Sequence, residues 1–94
     1  MNKQSEWDSF NYKEKTALMS LFTEKAKKDE YCDIRIEAYR SLGFTEEALK
    51  DTNYQIRLEA YRFLGFTEEA LKEECYDIMS SAEIYLDYIK KLTK

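Results

Sequence analysis

Three adjacent carboxylate pairs, Glu46/Glu47, Glu68/Glu69 and Glu73/Glu74, are the first groups in this sequence that could do acid–base or metal chemistry. Neighbouring helical residues point about 100° apart, so such pairs make neither a proton-sharing dyad nor a cation cluster by themselves. The chain contains no histidine, which removes the commonest general base and the commonest metal ligand. Ser-His-Asp and Cys-His arrangements are thereby excluded. The two glycines, Gly43 and Gly65, have no glycine partner at phosphate-loop spacing. Cys32 and Cys75 are too few for a disulfide framework and match no paired metal spacing, so they are expected to be reduced thiols filling helix positions. The chain is therefore expected to be no enzyme, with no catalytic, cofactor-binding or metal-binding residues.

Charge narrows the partner classes. Nineteen acids and fifteen bases leave a net charge of −4 in 94 residues. Residues 1–30 hold six bases and six acids, and residues 75–94 hold three of each, so the whole excess lies in residues 31–74. All four arginines, Arg35, Arg40, Arg57 and Arg62, fall in that acidic middle, with tyrosines between them. Nucleic-acid binders need a basic footprint, and the local balance is negative, so direct nucleic-acid binding is disfavoured. No apolar run approaches the roughly 20 residues a membrane span needs, and the start MNKQSEWDS is no secretory leader. With the thiols, this points to a cytoplasmic protein that does not engage a membrane.

The elements that position these groups follow from an internal duplication. Residues 34–50, IRIEAYRSLGFTEEALK, recur as residues 56–72, IRLEAYRFLGFTEEALK, differing only at 36/58 and 41/63. A weaker copy precedes them (Phe22, Thr23, Glu24, Ala26, Lys28, Asp29), and another follows through Asp77, Ile78 and Ala82. Clear central units between divergent ends are the mark of a stacked repeat array with caps. A single domain over 1–94 is expected, divided as 1–30 (cap and degenerate copy), 31–52, 53–74 and 75–94 (cap helix).

Each unit reads as a longer helix, about Tyr31–Leu42 or Asn53–Leu64, and a shorter one. Gly43 and Gly65 stand where a left-handed residue ends the first, and Thr45 and Thr67 stand as N-caps of the second. Phe44/Leu49 and Phe66/Leu71 occupy hydrophobic-staple positions, whereas Lys27 deprives Phe22 of that partner. On the longer helix Ile34, Ala38 and Leu42 form one apolar stripe, while Ile36 and Tyr39 form a second nearly opposite. At the ends, Ser5 is expected to cap a helix running to about Leu21, with Trp7, Phe10, Leu18 and Leu21 inward. The last helix, about Tyr76–Leu92, should bury Ile78, Ala82, Leu86 and Ile89 and place Lys90, Lys91 and Lys94 at its negative end.

The pairs Asp29/Arg35 and Asp51/Arg57, with Ile-Arg-x-x-Ala-x-x-x-Leu-Gly, resemble the HEAT repeat. The short repeat length is closer to the leucine-rich-repeat variant, which alternates a longer helix with a very short one. The resemblance covers about residues 22–82 and implies an all-α fold, a small HEAT-like α-solenoid of about 3–4 repeats with divergent capping helices. It also implies an Asp–Arg ladder of Asp29, Arg35, Asp51 and Arg57 that caps turns along the stack. Met79 stands where that pattern has arginine, so the ladder should stop before the last helix. Tyr39 and Tyr61 replace the pattern's small residue and need room and a hydroxyl partner.

The expected function is that of a protein–protein interaction module without cofactors. Its candidate surface is Glu37, Tyr39, Arg40, Glu59, Tyr61, Arg62 and Phe63, because interface anchors favour Tyr and Arg. Glu37/Arg40 and Glu59/Arg62 also read simply as solvated ion pairs, and the Ser41-to-Phe63 change reads as recognition or as repacking. The alternative is a small acidic inhibitor of a nucleic-acid-handling complex, of the kind mobile elements encode, whose Glu46/Glu47 and Glu68/Glu69 rows imitate phosphates. Homo-oligomers formed through imperfectly capped ends stay open as a third arrangement.

Overall fold

A computed structural model describes residues 3–93, and the side chains of residues 6–93. It is all-α, with α1 Lys3–Asp8, α2 Tyr12–Leu18, α3 Thr23–Ala26, α4 Cys32–Leu42, α5 Tyr54–Leu64 and α6 Tyr76–Leu92. Single 3₁₀ turns follow α2 (Met19–Leu21), precede α5 (Glu46–Lys50) and precede α6 (Glu68–Lys72). Among the described residues no helix is long and apolar enough to cross a membrane. The chain forms two compact units, Met1–Gly43 and Phe44–Lys94. The division falls inside the 31–52 sequence unit, because the short Glu46–Lys50 helix packs on α5, which follows it.

In the first unit the expected single helix to Leu21 is broken. Asn11 starts a new helix by a reciprocal capping box: its Oδ1 accepts from Glu14 N, and its own N donates to Glu14 Oε1, both at 2.9 Å. Ser9 closes the preceding helix by donating its hydroxyl to the Glu6 carbonyl at 2.6 Å. Ser5 falls inside α1 rather than before it, and its side chain lies outside the described residues, as does Lys94. Trp7, Met19, Ala26, Ile34 and Ala38 form the core, with Phe10 and Phe22 packed against it. Phe22, lacking a staple partner, instead meets Trp7 (centroids 5.6 Å apart) and Phe10 (5.4 Å). Leu18 is half-buried, and Leu21, expected inside, is 72% exposed because it ends the 3₁₀ turn on the solvent side.

A buried ion pair sits under this core. Asp29 Oδ2 accepts from Lys15 Nζ at 2.6 Å and from Trp7 Nε1 at 2.8 Å, while Oδ1 accepts from Tyr31 N at 2.9 Å. Burial pushes the Asp29 carboxyl up, but the three hydrogen bonds and the Lys15 charge outweigh it, so the group lies below its ordinary value. Lys15 also rests 5.4 Å from the Trp7 ring and 5.6 Å from the Tyr31 ring.

The second unit alternates short and long helices. Leu58, Tyr61, Ala70, Ile78 and Ala82 form its core, joined by Leu49, Phe66, Leu71 and Cys75. The Glu46–Lys50 turn packs on α5, the Glu68–Lys72 turn on α6, and α5 on α6. The duplicated segments share one local backbone: Gly43 has φ 99° and ψ 143°, and Gly65 has φ 101° and ψ 141°. Both glycines have the positive φ expected at a helix end, but the extended ψ sends the chain straight on rather than into a left-handed turn. Thr45 and Thr67 stand at the N-cap positions without a side-chain cap bond. In a 3₁₀ turn the N–H that a cap would take is already bonded to the threonine's own carbonyl, here Ala48 N and Ala70 N, both at 3.0 Å. Leu42 and Ile89, expected inside, are exposed. Each lies in the last turns of its helix, beyond the reach of the core that buries Ile34 or Ile78.

Two outcomes follow. Asp29→Asn places an amide against two N–H donors and should cost about 2–4 kcal/mol, with the emission of the single tryptophan shifting to the red. Because the folded carboxyl titrates below its ordinary 3.8, its stabilisation is complete above that pH and drains away as pH falls through the folded value. Acid unfolding followed by Trp7 fluorescence should therefore lose part of its slope below pH 3.8 in the variant. Gly43→Ala should cost about 1–3 kcal/mol from the backbone alone, since nothing lies within 4 Å of the added Cβ. A urea midpoint equal to the parent's would overturn that assignment.

Candidate functional site

The expected surface divides when placed on the structure. Glu37 and Arg40 face solvent as an ion pair of 2.8 Å, each about half exposed. Arg62 is exposed, Glu59 half-buried, and Phe63 65% exposed with its ring 5.9 Å from Phe44. Tyr39 and Tyr61 correct the expectation: they are 1% and 5% exposed and belong to the interior. Each lies on the second apolar stripe of its helix, with Ile36 or Leu58, and has an interior neighbour for its ring. Lys27 lies over Tyr39 at 5.6 Å, and Phe66 stacks on Tyr61 at 5.7 Å with 7° between the planes.

The residues expected in the ladder make matching local contacts at the entrances of α4 and α5. Arg35 Nη1 donates to the carbonyls of Asp29 (2.8 Å) and Glu30 (3.2 Å), while the Asp29 carboxylate is taken by Lys15 and Trp7. Arg57 Nη1 repeats the motif on the carbonyls of Asp51 (2.8 Å) and Thr52 (3.1 Å). Asp51 Oδ1 caps Asn53 N at 2.9 Å, as Asp29 caps Tyr31. The carboxylate facing Arg57 is Glu73, whose two oxygens accept from Nε at 3.2 and 3.1 Å. Glu73 stands one repeat length after Asp51, so the rung ties the start of α5 to the end of the same 53–74 sequence unit. A carboxylate in that register was the signal available in the sequence.

Beside this rung the second unit opens a cleft of about 500 Å³. Leu49, Arg57 and Tyr61 line it, with Thr67 at its edge. Four carboxylates (Glu46, Glu69, Glu73, Glu74) face three bases (Lys50, Arg57, Lys72) around it. Tyr61 has no hydrogen-bond partner for its hydroxyl among the described residues. Burial, then the charges of Glu73 and Glu69, raise its phenol above the ordinary value, with Arg57 pulling the other way. The proton therefore stays on at neutral pH. A smaller polar notch in the first unit, about 360 Å³, is lined by Asp8, Lys15, Lys28, Asp29 and Glu30, and its two buried members satisfy each other.

The other unusual surface is apolar. In the C-terminal half of α6, Ile84, Tyr85, Tyr88, Ile89 and Leu92 are all exposed, Ile84 at 73% and Leu92 at 62%. Their spacing of three and four puts them on one arc of the helix. Asp87 and Lys91 flank the arc as an ion pair of 3.2 Å. The stripe of Ile78 and Ala82 points into the core, and the same helical spacing marks this second arc in the sequence.

Among the described residues no group of three or more His, Cys, Asp or Glu side chains is placed to hold a metal ion. Cys32 and Cys75 are half-buried free thiols. Comparison with protein-family models, with curated proteins and with solved structures finds no match for the chain.

Proposed function

We propose that the protein is a non-catalytic protein-binding module, a miniature α-solenoid of HEAT-like kind, whose α6 arc docks in an apolar groove of a partner protein. The observation that carries the reading is the run of five large exposed apolar side chains on α6. Scattered exposed hydrophobes need no explanation, but a contiguous set on one helix face marks a contact site. Two aromatics stand in the arc, the residue type that anchors interfaces at low conformational cost. The flanking charges balance: residues 75–94 carry three acids and three bases, so a partner groove with little net charge fits this face better than a basic one. The alternation of short and long helices in the second unit supports the solenoid arrangement.

The test is a tagged chain recovered from its native cell, with Ile84→Lys, Tyr88→Glu and Leu92→Lys combined as the variant and Lys13→Ala, on an exposed residue of the other unit, as the control. The variant should lose a captured protein that the parent and the control both retain, and the parent's capture should survive roughly 0.5 M salt, as apolar contacts do. Surface positions like these change stability by about 0.5 kcal/mol or less, so melting temperatures should stay close together. Equal capture by variant and parent overturns the reading. Capture lost in salt instead favours the acidic inhibitor with its Glu46/Glu47 and Glu68/Glu69 rows, and concentration-dependent light scattering removed by the variant makes a second copy the occupant.

A further inference from the structure

We propose that the cleft beside Tyr61 is a binding site for a cationic group on an alkyl stem, a guanidinium or an ammonium, distinct from the α6 face. The carrying observation is the Tyr61 hydroxyl. The residue is only 5% exposed, its ring is held against Phe66, and it lines the cleft with its oxygen unpartnered among the described residues. A polar atom on so buried a side chain, opening on a cleft without a protein partner, is expected to meet water or a ligand. An acceptor lone pair is what an N–H donor needs.

The surroundings select the charge. Arg57 is the base nearest the interior, and it is already committed: Nε to both oxygens of Glu73, Nη1 to two backbone carbonyls. It therefore holds the wall in place rather than offering itself to an anion. Lys72 stands 3.8 Å from Glu69, with both side chains about three-quarters exposed at the rim. With Glu73 held by Arg57 and Glu69 near Lys72, Glu46 and Glu74 stand against Lys50; four carboxylates against three bases leave the lining one negative charge, which favours a cation with the hydroxyl oxygen as its acceptor. Leu49 and the Tyr61 ring give the apolar surface on which a lysine or arginine stem lies while its head meets charge. Burial, then the charges of Glu73 and Glu69, raise the phenol of Tyr61, so the hydroxyl stays neutral and keeps its lone pairs for a donor.

The chemistry has two sources, a side chain of another protein or a free polyamine, and the measurement separates them. Amide and Arg57 Nε–H shifts of the full chain would be followed by NMR during addition of blocked arginine, blocked lysine, spermidine and, as the anionic control, blocked glutamate. Saturable shifts at Glu69, Glu74 and Arg57 are expected in the millimolar range with the cations and not with glutamate. Tyr61→Phe keeps the ring stack and should weaken binding about three- to tenfold. Glu74→Gln, on an exposed residue that leaves the fold alone, should weaken it about two- to fivefold and lessen its salt dependence. Spermidine binding at least tenfold tighter than either amino acid assigns the site to a free amine, and comparable affinities assign it to a protein side chain. Shifts that do not saturate, equal binding of blocked glutamate, or unchanged affinity in both variants overturn the proposal. Because the α6 variant leaves this cleft untouched, failure here and failure of the docking surface are read separately.

Discussion

Close approach of helices is the constraint on which the rest of this molecule depends. Ala26, Ala48 and Ala70 are completely buried, as are Ala38, Ala60 and Ala82, and so are Ile34, Ile56 and Ile78. Each set is spaced by one repeat length. The period of the sequence is therefore also a period of burial, and it extends into both the weak first copy and the weak last one. An alanine with no accessible surface marks a place where a neighbouring backbone or side chain comes within methyl distance. A larger residue there would have to displace packed atoms at a cost of about 1–3 kcal/mol. The short 3₁₀ turns serve the same end, since each brings its central alanine, Ala48 or Ala70, inward.

Tight packing leaves little room to solvate polar groups, and the acidic positions 29, 51 and 73 resolve this in related ways. Asp29 and Asp51 each cap the N–H two positions on, and Arg35 and Arg57 each collect the two carbonyls released at that corner. Backbone groups that would otherwise be orphaned at a helix entrance are thus satisfied by charged side chains. In the first unit the carboxylate goes further inside and takes Lys15 and Trp7 as partners. Burying such a pair costs desolvation that its Coulomb attraction alone need not repay. Three hydrogen bonds to one carboxylate tip the balance, which is why its titration moves down despite burial. Lys15 precedes Asp29, and Arg57 precedes Glu73, by unequal spacings of 14 and 16. The two pairings therefore share a task without sharing a register.

Much of this was legible in the residues. The glycines after α4 and α5 and the duplicated pattern fix those helices to within a residue, because positive φ and helical apolar spacing are local properties. Less legible was anything decided by what covers a face. Tyr39 and Tyr61 combine an apolar ring with a polar tip, so spacing alone assigns them to interior and surface equally well. The phenylalanine stacked on Tyr61 settles the matter there, together with the cleft that leaves its hydroxyl room. The break at Ser9–Asn11 was visible as Asn-x-x-Glu, a capping box that outcompetes helix continuation. The Lys15–Asp29 pair had no such mark, since a contact between a helix and a connection 14 residues on leaves no local spacing to read.

The distribution of charge ties the two proposed surfaces of the second unit together. The chain's excess of acid lies in residues 31–74, which supply Glu46, Glu69, Glu73 and Glu74 to the cleft, while residues 75–94 are neutral. On the two proposals, long-range attraction and short-range adhesion fall to different parts of one unit. An acidic cleft raises the local concentration of cationic groups and speeds encounter, an effect that fades with salt over roughly 8–10 Å. An apolar arc has no reach beyond contact, but once covered it holds with little dependence on ionic strength. Placing carboxylates along the arc would weaken the second role, and placing leucines in the cleft would weaken the first. Separation of the two along the sequence is what allows an acidic chain to keep one neutral, sticky helix without repelling what approaches it.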